Sequence, residues 1–204
     1  AATAEPAVLH VYSARHYDGD KAMYARFEEI SGVKVEVFES KAPQLLEKIT
    51  AEGAASPADV IIVSDAGMLH KFQAAGLTQP IISPALDAAI PTRLKEASGH
   101  WVGLARRARV IAYDPAKVKP EDVDQYTDLA SPKLKGKVCV RPSKDIYNLS
   151  LMGELIGRMG EETATAWARS VVANFARPPE GGDTAQLEAI AAGQCAVAIV
   201  NHYY

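Results

Sequence analysis

Hydrophobic and polar positions in the first half of the chain alternate between two periods. Residues 8–12 (VLHVY) and 33–37 (VKVEV) are spaced as strands, and 59–63 (DVIIV) is a short apolar run. Between the first two, Met23, Phe27 and Ile30 form an i, i+4, i+7 stripe that predicts a helix over 20–30, stopped by Ser31-Gly32. Leu45, Leu46 and Ile49 mark a second helix ended by Gly53, and 66–75 reads as a third, ended by Gly76. Strand, helix, strand, helix, strand with connections this short predicts a parallel sheet covered by helices.

From 79 to 99 the pattern breaks into proline-punctuated turns, and 101–113 then reads as one extended segment carrying Arg106, Arg107 and Arg109. Such a segment suits a crossing between two lobes. Beyond it the alternation resumes with a strand at 137–140, helices over 149–156 and 161–172, and a Pro/Gly loop. Asp183-Thr184 reads as the N-cap of a helix that ends near Gly193, and 196–200 as a buried strand. The expected architecture is therefore α/β with two lobes, residues 1–107 and 108–204, their parallel-rich sheets flanked by helices.

Composition narrows the function. The 204 residues are 48% hydrophobic and carry a net charge of −3, which gives none of the basic footprint that a nucleic-acid partner demands. No apolar stretch approaches the length of a membrane span. The small-residue start, AATAEPA, suits either the mature end left by a secretory signal or a frayed terminus. Cys139 and Cys195 each lie in or beside an apolar strand. The commoner fate of such cysteines is simple burial, while an exported protein would allow a disulfide. No CxxC, HExxH, phosphate loop or nucleophile motif is present.

Tyrosines at strand ends are the candidate chemistry: Tyr17 with His16 beside it, Tyr147, and the adjacent pair Tyr203-Tyr204. A phenol ordinarily loses its proton near pH ~10, and a multivalent cation displaces that proton. Phenolate is then a hard anionic oxygen donor suited to a trivalent ion, whereas softer ions call for Cys, His or Met. Each tyrosine alone also reads as a half-buried packing residue, as Tyr12, Tyr24, Tyr113 and Tyr126 do. Neighbours on a strand face opposite ways, so Tyr203 and Tyr204 can serve one ligand only where their strand has ended. Arg107 and Arg109 share a face of the extended segment, where a guanidinium can support a phenolate or hold an anion. The segment Arg141-Pro142-Ser143-Lys144-Asp145 leads into a helix whose free N–H groups suit an anion. His202 reads as solvated, and His10, His70 and His100 suggest no site.

With these residues in view, the chain resembles the periplasmic ferric-ion-binding proteins, the solute receptors of bacterial iron(III) importers. The matching pieces are VYSARHYDGD, SPADVIIVSDAG, ARRARVIAYD, DLASPKLKGKVCVRPS, IYNLSL, VANFARPPEGGDTAQ and IVNHYY, in family order across nearly the whole chain. The resemblance implies a type II periplasmic-binding-protein fold that closes on Fe³⁺. It implies His16, Tyr17, Tyr147, Tyr203 and Tyr204 as ligands, with Arg107 supporting them and Arg109 and Ser143 near an accompanying anion such as carbonate. It further implies a monomer in the periplasm, its signal peptide removed, that delivers iron to an inner-membrane ABC permease without catalysis. The family pattern runs on past the tyrosine pair and back into the first lobe, so the C-terminal portion and the second crossing are expected to lie outside this sequence. Pro142-Ser143-Lys144 replaces a stretch that is usually rich in Ser or Gly. Two rivals differ at the site. One keeps the fold and binds phosphate or sulfonate through Arg107, Arg109 and helix N-termini; the other is an acid–base enzyme using His16 and a tyrosine.

Overall fold

The computed structural model describes residues 7–15 and 17–204. The chain divides into two compact units, Ala1–Leu104 and Ala105–Tyr204, each with its own sheet.

In the first unit the order is β1 (Val8–Ser13), α1 (Asp18–Ser31), β2 (Lys34–Glu39), α2 (Ala42–Glu52), β3 (Val60–Ile62), α3 (Ala66–Ala74) and α4 (Pro84–Ala89). The sheet runs β2-β1-β3 with every pairing parallel, in the register Val8↔Lys34 and Val11↔Val60. The expected parallel sheet is thus present, and its central strand buries Val11, Tyr12 and Ser13. Leu45 and Ile49 of α2 and Met68 and Phe72 of α3 supply the buried helix faces. Gly32 ends α1 with φ 69°, a left-handed conformation that favours glycine, and its N–H caps the carbonyl of Glu28.

The helix expected over 20–30 is present as α1, but two features differ from a simple reading of the pattern. The α1 stripe is not buried: Ile30 is 69% exposed, Met23 and Phe27 are also exposed, and none of the helix's described residues is buried. Periodicity marks the face that a helix offers to an apolar neighbour, and no described residue covers that face. The extended segment 101–113 is also shorter as a strand. Val102 makes only an isolated bridge to Lys95, and regular pairing begins at Arg109.

The second unit contains β4 (Arg109–Tyr113), β5 (Val138–Cys139), α5 (Ile146–Met159), α6 (Glu161–Ala173), α7 (Asp183–Ala191) and β6 (Val197–Asn201). Its sheet order is β4-β6-β5, so the last strand lies in the middle and all five of its residues are buried. β5 joins β6 in parallel, but β4 joins it antiparallel in the register Arg109↔Asn201 to Tyr113↔Val197. Mixed pairing was not legible in advance, because β4 enters from an irregular segment and not through a crossover helix. Val118, Leu129, Leu134, Val138, Val171 and Val197 form the heart of this unit's core.

Cys139 and Cys195 are joined in a disulfide, so the reading of both as simple core is corrected. Pairing of β5 with β6 brings Cys139 opposite Ala198, within reach of the head of the central strand. Among the described residues no helix is long and apolar enough to cross a membrane.

The bond closes a sequence separation of 56 residues, for which chain entropy alone contributes about 4 kcal/mol of stability. Urea unfolding of the oxidised protein and of the Cys139→Ala/Cys195→Ala double variant is expected to differ by roughly that amount. Coincident curves would show that the bond does not constrain the unfolded chain.

Candidate metal centre

β6 carries its buried run directly into Asn201, and the ladder with β4 goes one step further. His202 N–H donates to the Ala108 carbonyl at 3.0 Å, and Ala108 N–H donates back to His202 Nδ1 at 3.1 Å. His202 is therefore exposed but not merely solvated, as its sequence context suggests. The chain then turns, with Tyr204 N–H donating to the Asn201 carbonyl at 3.3 Å. The turn brings together two side chains that a continuing strand would have sent to opposite faces. The Tyr203 and Tyr204 ring centroids are 4.7 Å apart, and both rings are about half exposed. Asn201 Nδ2 donates to the Tyr203 phenol at 3.2 Å.

Tyr147 sits in the first turn of α5, whose N-cap Asp145 accepts the Tyr147 N–H at 3.0 Å. Three guanidiniums face its ring, with Arg107, Arg141 and Arg109 carbons 4.1, 4.7 and 5.7 Å from the centroid. Arg107 Nη1 also donates to the Tyr147 phenol at 3.1 Å. As the alternation of the extended segment predicts, Arg107 and Arg109 address the same neighbour.

Behind the ring lies an ion-pair network. Asp183 has a side-chain exposure of 0%. Its Oδ1 accepts Arg141 Nη1 at 3.0 Å, and its Oδ2 accepts Arg109 Nη1 at 2.6 Å and the Asn201 N–H at 2.7 Å. Arg141 Nη2 also binds Asp145 at 2.6 Å. Arg109 spends its second nitrogen on the Ile199 carbonyl at 3.1 Å and receives the Tyr126 hydroxyl on its own carbonyl at 2.5 Å. Of the three guanidiniums at the ring, Arg109 is thus bound by Asp183, and Arg141 by Asp183 and Asp145.

The hydrogen bonds of the site appear in the ionisation of two of its groups. Burial pushes the Tyr203 phenol up, but hydrogen bonds from Tyr204, Asn201 and Arg107 outweigh it and hold the group below its ordinary value. Burial likewise pulls Arg107 down, and its interactions with the Tyr147 and Tyr203 phenols more than reverse this. Arg107 thus interacts with both tyrosine groups.

Asp183 is the residue whose place the sequence pattern misses. Gly182 is the N-cap, and Asp183 is the first residue inside α7, turned into the protein. Gly181 fixes this start with φ +65°, where a Cβ would lie 2.7 Å from the Ala185 Cβ. Gln186, fully buried, closes the turn through the Glu180 and Gly182 carbonyls at 2.6 and 3.0 Å. An acidic residue at the start of a helix is so often a solvated cap or dipole partner that nothing local flags a buried ion pair. Only Arg109 and Arg141, far off in sequence, could have done so.

Ser143 is exposed in the turn between Pro142 and Asp145. In the first unit, Tyr17 is the N-cap residue of α1, about half exposed, with the Arg15 guanidinium 5.1 Å from its ring centroid. Arg15 is itself held by both oxygens of Asp20 at 2.9 Å. His16 lies outside the described residues. Among the described residues no group of three His, Cys, Asp or Glu side chains is placed to hold a metal ion. The arrangement offered to a cation in the second unit is thus one of phenols backed by guanidiniums.

Comparison with known proteins places the chain in a family. The bacterial extracellular solute-binding protein family matches residues 55–204. Iron uptake protein A1 of Synechocystis sp. (strain ATCC 27184 / PCC 6803 / Kazusa) is 45% identical over 196 residues, which are 96% of this chain and 54% of that protein. The Fe(3+)-binding periplasmic protein of Serratia marcescens is 28% identical over 205 residues, 100% of this chain and 59% of that protein. The solved structure of Trichodesmium IdiA (FutA) in complex with iron and citrate ligands matches with a TM-score of 0.91 and 47% identity, over 97% of this chain and 62% of that one. The chain spans little more than half the length of the curated relatives it matches. Its α/β units carry the type II periplasmic-binding-protein fold, in part, and the chain belongs to the bacterial extracellular solute-binding protein family.

Proposed function

We propose that this chain captures Fe³⁺ through tyrosinates outside the cytoplasm and passes it to an inner-membrane ABC permease, without catalysis, as a periplasmic monomer. Tyr147, Tyr203 and Tyr204 are the proposed ligands in the second unit, and the family resemblance proposes His16 and Tyr17 in the first. The observation that carries the reading is Arg107, which donates to the Tyr147 phenol at 3.1 Å and helps to hold the Tyr203 phenol below its ordinary value. Three phenolates balance the charge of a ferric ion, and the ion itself displaces their protons. The relatives that are named for iron support the same cargo.

The rival anion receptor loses ground in the second unit. Arg109 and Arg141, which face the Tyr147 ring, are already engaged by Asp183 and Asp145. A synergistic anion such as carbonate, with Ser143 as a donor, has to compete with those carboxylates. Iron uptake that is insensitive to bicarbonate would remove the anion from the proposal while leaving the tyrosinates.

Ferric citrate added to the purified protein is expected to produce a visible tyrosinate-to-iron charge-transfer band. Tyr204→Phe is expected to weaken or abolish it, and Tyr126→Phe, whose hydroxyl serves only the Arg109 carbonyl, to leave it intact. A wild-type protein that stays colourless would sink the proposal.

Protons compete with the ion for the phenols, so affinity is expected to fall as pH falls, by about tenfold per pH unit for each phenol that must release its proton. Tyr203, held below its ordinary value, gives up its proton more readily than a free phenol, but the sign is unchanged. Titration of iron affinity between pH 5 and 8 checks this; a flat profile is incompatible with phenolate ligation.

A further inference from the structure

Asp183 is not among the ligands assigned above, yet it bonds partners of both tyrosine groups of the second unit. One of its oxygens holds Arg141, and the other holds Arg109 and the Asn201 backbone. Arg141 and Arg109 stand 4.7 and 5.7 Å from the Tyr147 ring centroid. Asn201 donates its side-chain amide to the Tyr203 phenol at 3.2 Å. The two oxygens of one carboxylate are rigidly spaced, so whatever each holds is fixed relative to the other. The carboxylate has no solvent to move into, and two guanidiniums this close would repel without it.

We infer that Asp183 is a positioning residue of the proposed ferric centre, holding the Tyr147 ring and the Tyr203 phenol in one fixed relation. It acts on the first through Arg141 and Arg109 and on the second through Asn201. Its role in iron binding rests on the ferric reading; its geometry rests on the hydrogen bonds alone. Metal ligands bind tightly when their orientation is set beforehand by partners that never touch the ion. Here a single buried charge performs that task for two ligands that lie 56 residues apart in the sequence.

The test has one arm with iron and one without. Asp183→Asn keeps the size of the side chain but removes the charge, and is expected to weaken ferric affinity about 10- to 100-fold in competition with citrate. It is also expected to move the charge-transfer maximum. Leu134→Ala, which opens the core of the same unit away from the network, is expected to lower stability but leave affinity and band position unchanged. In the metal-free protein, isotope-labelled tyrosine rings monitored by NMR should show Tyr147 and Tyr203 both displaced in Asp183→Asn. Arg141→Lys keeps a positive charge but cannot span Asp145 and Asp183, and should displace Tyr147 and not Tyr203. An Asp183→Asn protein with wild-type affinity, band and ring signals overturns the inference. If that variant does not fold, Arg141→Lys decides: wild-type affinity with an unmoved Tyr147 signal overturns it equally. A colourless wild-type protein would instead remove the ferric reading, and the ring signals would still decide the positioning.

Discussion

A charged carboxylate without solvent contact is the constraint on which the second unit's functional face depends. Isolated, such a charge would be costly by several kcal/mol, and a native fold tolerates it only when donors surround it. Asp183 has three: two guanidiniums and a backbone N–H. Each donor belongs to a different element, namely β4, the segment before α5, and the end of β6. Meeting the needs of one side chain therefore ties together the start of α7, the edge strand and the central strand. The arginines recruited in this way are the ones whose outer faces lie against Tyr147.

The central position of β6 provides the second half of the frame. Five consecutive buried residues make the strand a rigid rod, flanked on both sides by hydrogen-bonded neighbours. The point at which this strand stops places His202, Tyr203 and Tyr204. The ladder ends at the reciprocal His202 and Ala108 bonds, and the return of Tyr204 N–H to Asn201 makes the turn. Two adjacent phenols thereby come to share one neighbourhood, which neither helix nor strand geometry would allow them alone.

Local rules made much of this legible. Alternation found the parallel sheet of the first unit, because three of its strands are joined by helices long enough to show their own period. Tyr203-Tyr204 stood out because adjacency at a strand end conflicts with pure packing, and the family resemblance then linked the pair to Tyr147, Tyr17 and His16. The antiparallel β4 stayed hidden, since strand direction is a property of connection and not of composition. The α1 stripe of Met23, Phe27 and Ile30 marked its helix correctly, although all three residues are exposed. Asp183 reads locally as a cap because its partners, Arg109 and Arg141, lie 74 and 42 residues away. Long-range ion pairs leave no periodic trace.

The bond between Cys139 and Cys195 closes a covalent ring, and Arg141, Asp145, Tyr147 and Asp183 all fall inside it. The exposed Pro-Gly turn just before Asp183 lies within the same ring. A protease that cuts there severs the main chain without releasing either piece, because the link from β5 to the head of β6 still joins them. The two halves of the arginine–carboxylate network then remain tethered at high mutual concentration, free to find each other again. In this way the disulfide also protects the site against backbone damage, at a place where the loop's exposure invites it.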